Sequence, residues 1–351
     1  MIRTVQINIG LLAVFVLLLE GIFGHWFSER PALPYHVPRN DYYEMEVRDL
    51  YPGRDKVTYS RDQWGLRGSF GTPGNVHVLT IGGSTTDQFY IDDSETWQEQ
   101  MMRQFAESGL SLPVANAGLD GQSSIGHILA MQAWLSQIPG LRPKIVLFLV
   151  GLNDIAVEAR EKSDAILADT PVKSFAAQIA DRSAIWRLYR AIRGALAAHR
   201  YKLAHGSWTV PPDVKWSRID KTISVERRRL LDAYAKRLHH LAQLTFDWGA
   251  QPAFVTQPRM DSRPDGDDGF LVVDGNESAR LTVLYNLRTI ATCRSIAGAM
   301  CLDLAADLRF TPEDFYDSAH YTPTGARKIG VHLAEEIMLR SGSQETRMTP
   351  H

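Results

Sequence analysis

Val76–Thr86 reads VHVLTIGGSTT, and the fold follows from it. Val76, Val78, Leu79 and Ile81 form a short apolar, β-branched run of the kind that is buried on both faces in a parallel sheet. The run stops at Gly82 and Gly83, which let the backbone turn sharply, and Ser84 is delivered into that turn. A serine at the carboxyl end of a buried strand lies where open α/β sheets bind their ligands, so Ser84 is a candidate nucleophile. By itself a Gly-Gly-Ser-Thr cluster also fits an ordinary loop.

Downstream, short apolar runs alternate with longer helical patterns. The predicted strands are Val76–Gly83, Pro113–Gly118, Ile145–Gly151, Ala253–Pro258 and Met300–Ala305. The predicted helices are Thr96–Ser108, Ile125–Ile138, Val225–Trp248, Ser278–Ala297 and Thr324–Ser341. This alternation predicts an α/β fold, a three-layer α/β/α sandwich around five parallel strands.

Four segments should then meet at one rim of the sheet. Strand one ends at Ser84, strand two runs into Asn116–Ser123 with Gly121, and strand three ends at Gly151-Leu152-Asn153-Asp154. Close to the last helix stands Asp317-Ser318-Ala319-His320. Acyl transfer through serine needs a base, a group that orients the base, and donors for the oxyanion. His320 fits the base and Asp317 its orienting carboxylate. The backbone N–H groups of Ser84 and Gly121 and the carboxamide of Asn153 fit the oxyanion donors. Singly, each residue reads equally well as a turn, a cap or a surface group; it is their joint order that points to a hydrolase.

These residues resemble the SGNH hydrolases, the GDSL-type esterases and lipases, in their membrane-anchored, envelope-associated form. The family's four named residues match Ser84, Gly121, Asn153 and His320. Gly151-x-Asn153-Asp154 and Asp317-x-x-His320 match in full, whereas Gly82-Gly83-Ser84 stands in place of Gly-Asp-Ser. Trp64-Gly65-Leu66-Arg67-Gly68 is similar to a lead-in segment of exported members, with Asp62 where an Asn is usual. The resemblance implies a flavodoxin-like sheet, no metal or cofactor, and hydrolysis of an acetyl or short acyl ester on an envelope glycan or lipid by Ser84, His320 and Asp317. An O-acyltransferase of envelope polysaccharide and a non-catalytic binding protein are the alternatives. An α/β-hydrolase would want Gly-x-Ser-x-Gly, and Thr86 occupies its last glycine.

Outward from this core, the ends carry an address. Ile7–Phe27 is almost wholly apolar, broken by Asn8, Glu20 and His25, and reads as a signal anchor across a membrane. Arg3 should stay in the cytoplasm, which places the catalytic domain on the outer, periplasmic side. The domain plan is an anchor over 1–28, a proline stalk (Ser28–Arg39) and lead-in over 29–75, and a hydrolase domain over 76–345. An insertion interrupts it at about 155–221. Within that insertion Asp181–Lys202 has the pattern of a basic amphipathic helix, suited to an anionic membrane, to an acidic polymer or to its own domain. Leaving from strand three, the insertion should wall or cover the cleft. The net charge of −2 gives no pull toward nucleic acid. Cys293 and Cys301 fit either a disulfide or buried thiols, and no metal-ligand spacing is present. Asp261–Asp268 reads as a solvated acidic loop, and the oligomeric state is left open.

Overall fold

The computed structural model describes residues 2–27, 37–156, 182–200, 206–266 and 269–348. Five parallel strands make the central sheet: β3 (Val78–Gly82), β4 (Val114–Asn116), β5 (Ile145–Leu149), β7 (Gln251–Val255) and β10 (Met300–Leu302). A hairpin of β1 (Tyr42–Glu46) and β2 (Lys56–Ser60) precedes them. An antiparallel sheet of β6 (Trp216–Arg218), β9 (Gly269–Val273) and β8 (Ser262–Asp265) stands beside them. The helices are α1 (Ile2–Phe23), α2 (Ser84–Asp87), α3 (Trp97–Glu107), α4 (Ser124–Ala133), α5 (Ala184–Arg200), α6 (Val225–Asp247), α7 (Glu277–Arg294), α8 (Leu304–Asp307) and α9 (Pro323–Met348). All five predicted strands and all five predicted helices are present, with shorter strands than the apolar runs suggest.

The central strands are buried on both faces, which is why they read as continuous apolar runs rather than as alternating ones. On one face Val78, Leu147, Leu149, Ala253 and Val255 pack against Met101 and Phe105 of α3 and Ile329 and Leu333 of α9. The alternate residues Phe148 and Phe254 stack with ring centroids 5.3 Å apart and turn toward the layer of α4, α6 and α7. Side-chain caps fix the helix starts: Thr96 accepts from Glu99 N, Ser224 from Arg227 N and Asn276 from Ala279 N.

The strand order β10-β7-β5-β3-β4 is the flavodoxin-like order. The chain leaves β3 for β4 on one side and then crosses to β5 on the other. The switch point is therefore the crevice beyond the carboxyl ends of β3 and β5, where a ligand site is expected.

The structure adds to three readings. Within the lead-in, Asp41–Gly74 contains β1 and β2, and Arg67 forms an antiparallel bridge with Asn116 that covers the free edge of β4. The lead-in thus packs on the edge strand β4. Asp261–Asp268 is not simply a solvated loop. Asp261 is buried in a bidentate pair with Arg259, Ser262–Asp265 is β8, and Asp267 and Asp268 lie outside the described residues. Finally, Cys293 at the end of α7 and Cys301 in β10 are joined as a disulfide.

Two compact units divide the chain. The one that holds β1 to β4 begins at Pro38, so the lead-in belongs with the sheet. The other holds α1 and α5. Thr4–Phe23 has a mean hydropathy of 2.1 and, by length and composition, can cross a membrane. Most of the predicted stalk, and residues 157–181 and 201–205 of the insertion, lie outside the described residues.

Candidate active site

At the switch point the chain leaves β3 through Gly82 and Gly83 into α2. Gly83 is in an ordinary negative-φ conformation, so its glycine serves close approach rather than a left-handed turn. A Cβ there would lie 2.4 Å from Asn153 Nδ2. The bare backbone lets the Asn153 carboxamide sit directly over the peptide that precedes Ser84.

A four-residue helix has almost no internal hydrogen bonds, and its last carbonyls need outside donors. They all find one. Ser84 O accepts from Gln88 N, Thr85 O from Trp97 Nε1 at 3.1 Å, and Thr86 O from Asn116 Nδ2 at 2.7 Å and Gln98 Nε2 at 3.1 Å. The carbonyls of Asp87 and Gln88 accept from Arg67 Nη1 at 2.5 and 2.9 Å, and Arg67 Nη2 donates to Ile91 O. Gln88 itself holds a left-handed φ of 56°, an unfavourable conformation for a side chain with a Cβ that these bonds sustain. Arg61, also fully buried, donates to Asp87 Oδ1 at 2.7 Å and to the carbonyls of Gly65 and Gly118.

Ser84 Oγ lies 2.7 Å from His320 Nε2, and His320 Nδ1 lies 2.7 Å from Asp317 Oδ2. The other carboxylate oxygen of Asp317 accepts from the backbone N–H groups of Ala319 and His320, which fixes the loop around the pair. Burial works to raise the Asp317 carboxyl. The hydrogen bond and charge of His320 and the two backbone donors outweigh it and hold the carboxyl below its usual range. The His320 ring stacks on Tyr316 at 5.6 Å, and Tyr316 N–H donates to His320 O.

Gly121 has φ of +73°, which only glycine adopts without strain, and it turns the loop after β4 toward Ser84's strand end. Asn153 Nδ2 donates to Gln122 O at 2.9 Å, so the Gly121 loop and the Asn153 loop are tied together. Asp154 adds a second tie: it is buried and accepts from Ser124 N, Ser124 Oγ and Arg237 Nη2. Ser84, His320 and Asp317 are thus brought into one hydrogen-bonded chain, and the Gly121 and Asn153 loops are bonded to each other beside Gly83.

The bracing roles of four residues escape a reading of sequence motifs, although Arg67 and Asn116 lie within segments the sequence singles out. Arg61, Arg67, Asn116 and Gln257 brace the turn from behind, Gln257 by accepting from Thr85 Oγ1 and donating to Leu149 O. The only advance signal is an arginine on either side of Trp64-Gly65-Leu66.

A family model, the GDSL-like lipase/acylhydrolase family, matches residues 80–272, more than half of the chain. No curated protein matches its sequence. Among solved structures the chain is similar to the esterase EstA from a Pseudoalteromonas species, with 12% identity over 76% of this chain and 98% of that one and a TM-score of 0.44. It is similar to TesA, with 13% identity over 74% and 97% and a TM-score of 0.41. Axe2, an acetylxylan esterase from Geobacillus stearothermophilus, shares 13% identity over 75% and 94% with a TM-score of 0.42. With the flavodoxin-like sheet and a serine at its switch point, the family match identifies the chain as a member of the GDSL-like lipase/acylhydrolase family, an ester-hydrolysing enzyme.

Proposed function

We propose that the protein is a membrane-anchored serine esterase that removes a short acyl group from an envelope glycan or lipid, with Ser84, His320 and Asp317 as its triad. The observation that carries this reading is the continuous chain from Ser84 Oγ through His320 to Asp317, with 2.7 Å at each link. In the forward step His320 Nε2 takes the Ser84 proton as Oγ attacks the acyl carbon. Asp317 holds the Nδ1–H tautomer and stabilises the imidazolium. The oxyanion that forms is met by the backbone N–H groups of Ser84 and Gly121 and by Asn153 Nδ2. His320 then gives its proton to the departing alcohol, and water activated by the same histidine releases the acid.

The alcohol half has a surface suited to it. Beside the acid–base loop lies a cleft of about 550 Å³ whose wall includes Trp216, Phe310 and Phe315. Its charged lining side chains are Arg259, Arg263 and Arg309. Arg259 is paired with Asp261, which leaves Arg263, over the Trp216 ring, and Arg309 as the cations that favour a sugar bearing anionic groups. The apolar α1 supports the membrane address, and Arg3 on its near flank supports an outward-facing domain.

The test is Ser84→Ala, assayed on p-nitrophenyl acetate and with a fluorophosphonate probe. Turnover should fall about a thousandfold or more and labelling should vanish, with thermal unfolding unchanged. Near-normal turnover in the folded variant would remove Ser84 as the nucleophile.

A further inference from the structure

Glu20 is out of place by composition. It is the one charged residue of the apolar stretch Ile7–Phe27, and a carboxylate in such a span is unfavourable unless it has partners. Three of its four donors lie on a segment more than 160 positions away, and the fourth is Trp26. Glu20 Oε1 accepts from Ser183 Oγ at 2.6 Å and Ile185 N at 3.2 Å, and Oε2 accepts from Ala184 N at 2.9 Å and Trp26 Nε1 at 2.8 Å. Both oxygens are therefore used, and two of the four donors are first-turn N–H groups of α5, where an anion is favoured by the helix dipole. The clamp is closed from the other side. His25 N donates to Arg182 O at 2.8 Å, and the Arg187 guanidinium meets Phe23 O and the His25 ring.

The helix held there is amphipathic and its apolar side is bare. Ile185, Leu188, Tyr189, Ile192 and Leu196 recur at the spacing of a single helix face, and each is between 42% and 66% exposed. Trp186 lies at the flank of that stripe, 5.2 Å from Tyr189 between ring centroids. The sequence of α5 contains four arginines and no acidic residue. An apolar stripe bounded by aromatic rings and by cations of one sign has the chemistry of a bilayer interface with anionic headgroups.

We propose that α5 lies in the outer interface of an anionic membrane, docked to the end of the spanning helix by the Glu20 clamp. This rests on the reading of α1 as a membrane span. Arg3 marks the inner end of that span and Glu20 its outer end, so the first turn of α5 is fixed at headgroup depth. There Ile185, Leu188, Ile192 and Leu196 enter the acyl boundary, Trp186 and Tyr189 sit at the level where amphipathic rings are favoured, and Arg193 reaches phosphate. Glu20 is thus a joint between two membrane-associated helices, rather than a flaw in the anchor.

The experiment uses the full chain in proteoliposomes of phosphatidylcholine, with or without phosphatidylglycerol. Ile192→Cys and, separately, Leu12→Cys carry an environment-sensitive NBD label, since the native cysteines are joined to each other and do not react. Quenching by lipids bearing a nitroxide at a shallow acyl position is then read. Both labels should be quenched, with position 192 quenched severalfold more strongly when phosphatidylglycerol is present. Glu20→Ala should release position 192 and leave position 12 unchanged. A quenched position 12 with position 192 in water, or shielded from water but unquenched by lipid, overturns the proposal and leaves the anchor standing. Two unquenched labels overturn the anchor itself. Equal quenching at 192 on neutral vesicles removes the role of the arginines, and an unaltered signal in Glu20→Ala removes the clamp.

Discussion

Asn153, half-buried, and His127, fully buried, are held for different reasons. The Asn153 carboxamide is bonded on one side to Gln122 O and on the other faces Gly83, where even a methyl group would intrude. One N–H is used in positioning, and in the proposed mechanism the second serves the oxyanion. Losing one such donor costs about a hundred- to a thousandfold in turnover. Asn153→Ala should therefore lower kcat by about that factor while KM changes little; a raised KM alone would make Asn153 a substrate contact. His127, buried in α4, has no such task. Burial pushes its imidazole down to about 4 from the usual 6.5, against the pull of Asp154. The folded state thus holds it neutral where the unfolded chain protonates it. Its contribution to stability is complete above pH 6.5 and is lost as pH falls through about 4. That loss amounts to about 3 kcal/mol at most. Urea unfolding of wild type and His127→Gln at pH 7 and pH 4 measures it: the wild type should lose more than the variant, and parallel losses would show that His127 stays neutral in both states.

At the scale of elements, the turn α2 depends on a segment that precedes it. Three of the carbonyls that end α2 and its following loop are held by one guanidinium, Arg67, which is itself paired with Asp93 at 2.6 Å and fixed by its backbone bridge to Asn116. A lysine offers a point charge and cannot reach all three in the same plane. Displacing a nucleophile by about 1 Å costs about a hundredfold in rate. Arg67→Lys should accordingly lower kcat by about ten- to a hundredfold with KM nearly kept, and should also lower Tm. A fall in Tm with full kcat would leave Arg67 as a support of the β4 edge and nothing more. The elements that sequence made legible are those whose burial is uniform. β3, β5 and β7 are apolar on both faces, and α3, α6, α7 and α9 run for three turns or more. Hidden were β1, β2, β6 and β8, because strands such as YYEME and SRPD are half-exposed and lack any apolar run, whereas β9, GFLVV, went unread although it carries one. Ser84, Gly121, Asn153 and His320 were legible as candidates because chemistry restricts their identity and spacing. Arg61, Arg67 and Gln257 were not, because a donor to a backbone carbonyl can come from many residue types and any distance in sequence.

For the whole molecule, two compact units are interleaved along the sequence. The sheet unit carries Ser84, His320 and Asp317, and the other carries α1 and α5, although α5 lies between β5 and β6 in the chain. The 20 residues from Thr4 to Phe23, polar only at Thr4, Gln6, Asn8 and Glu20, expose their side chains along the helix. Leaving that surface in water is unfavourable by about 25 cal/mol for each Å². Within a bilayer the same surface is satisfied, and α1 meets the requirement that its backbone groups bond internally. The proposed orientation rests on Arg3, which flanks Thr4–Phe23 on its N-terminal side, since basic residues close to a span remain on the cytoplasmic side. The full chain should therefore sediment with membranes after washing in high salt or alkaline carbonate. In intact spheroplasts, protease added from outside should degrade an epitope at the C-terminus and spare one at the N-terminus. A shortened soluble protein would instead mean that α1 is a cleaved signal sequence, and an epitope protected at the C-terminus would place the esterase on the cytoplasmic side.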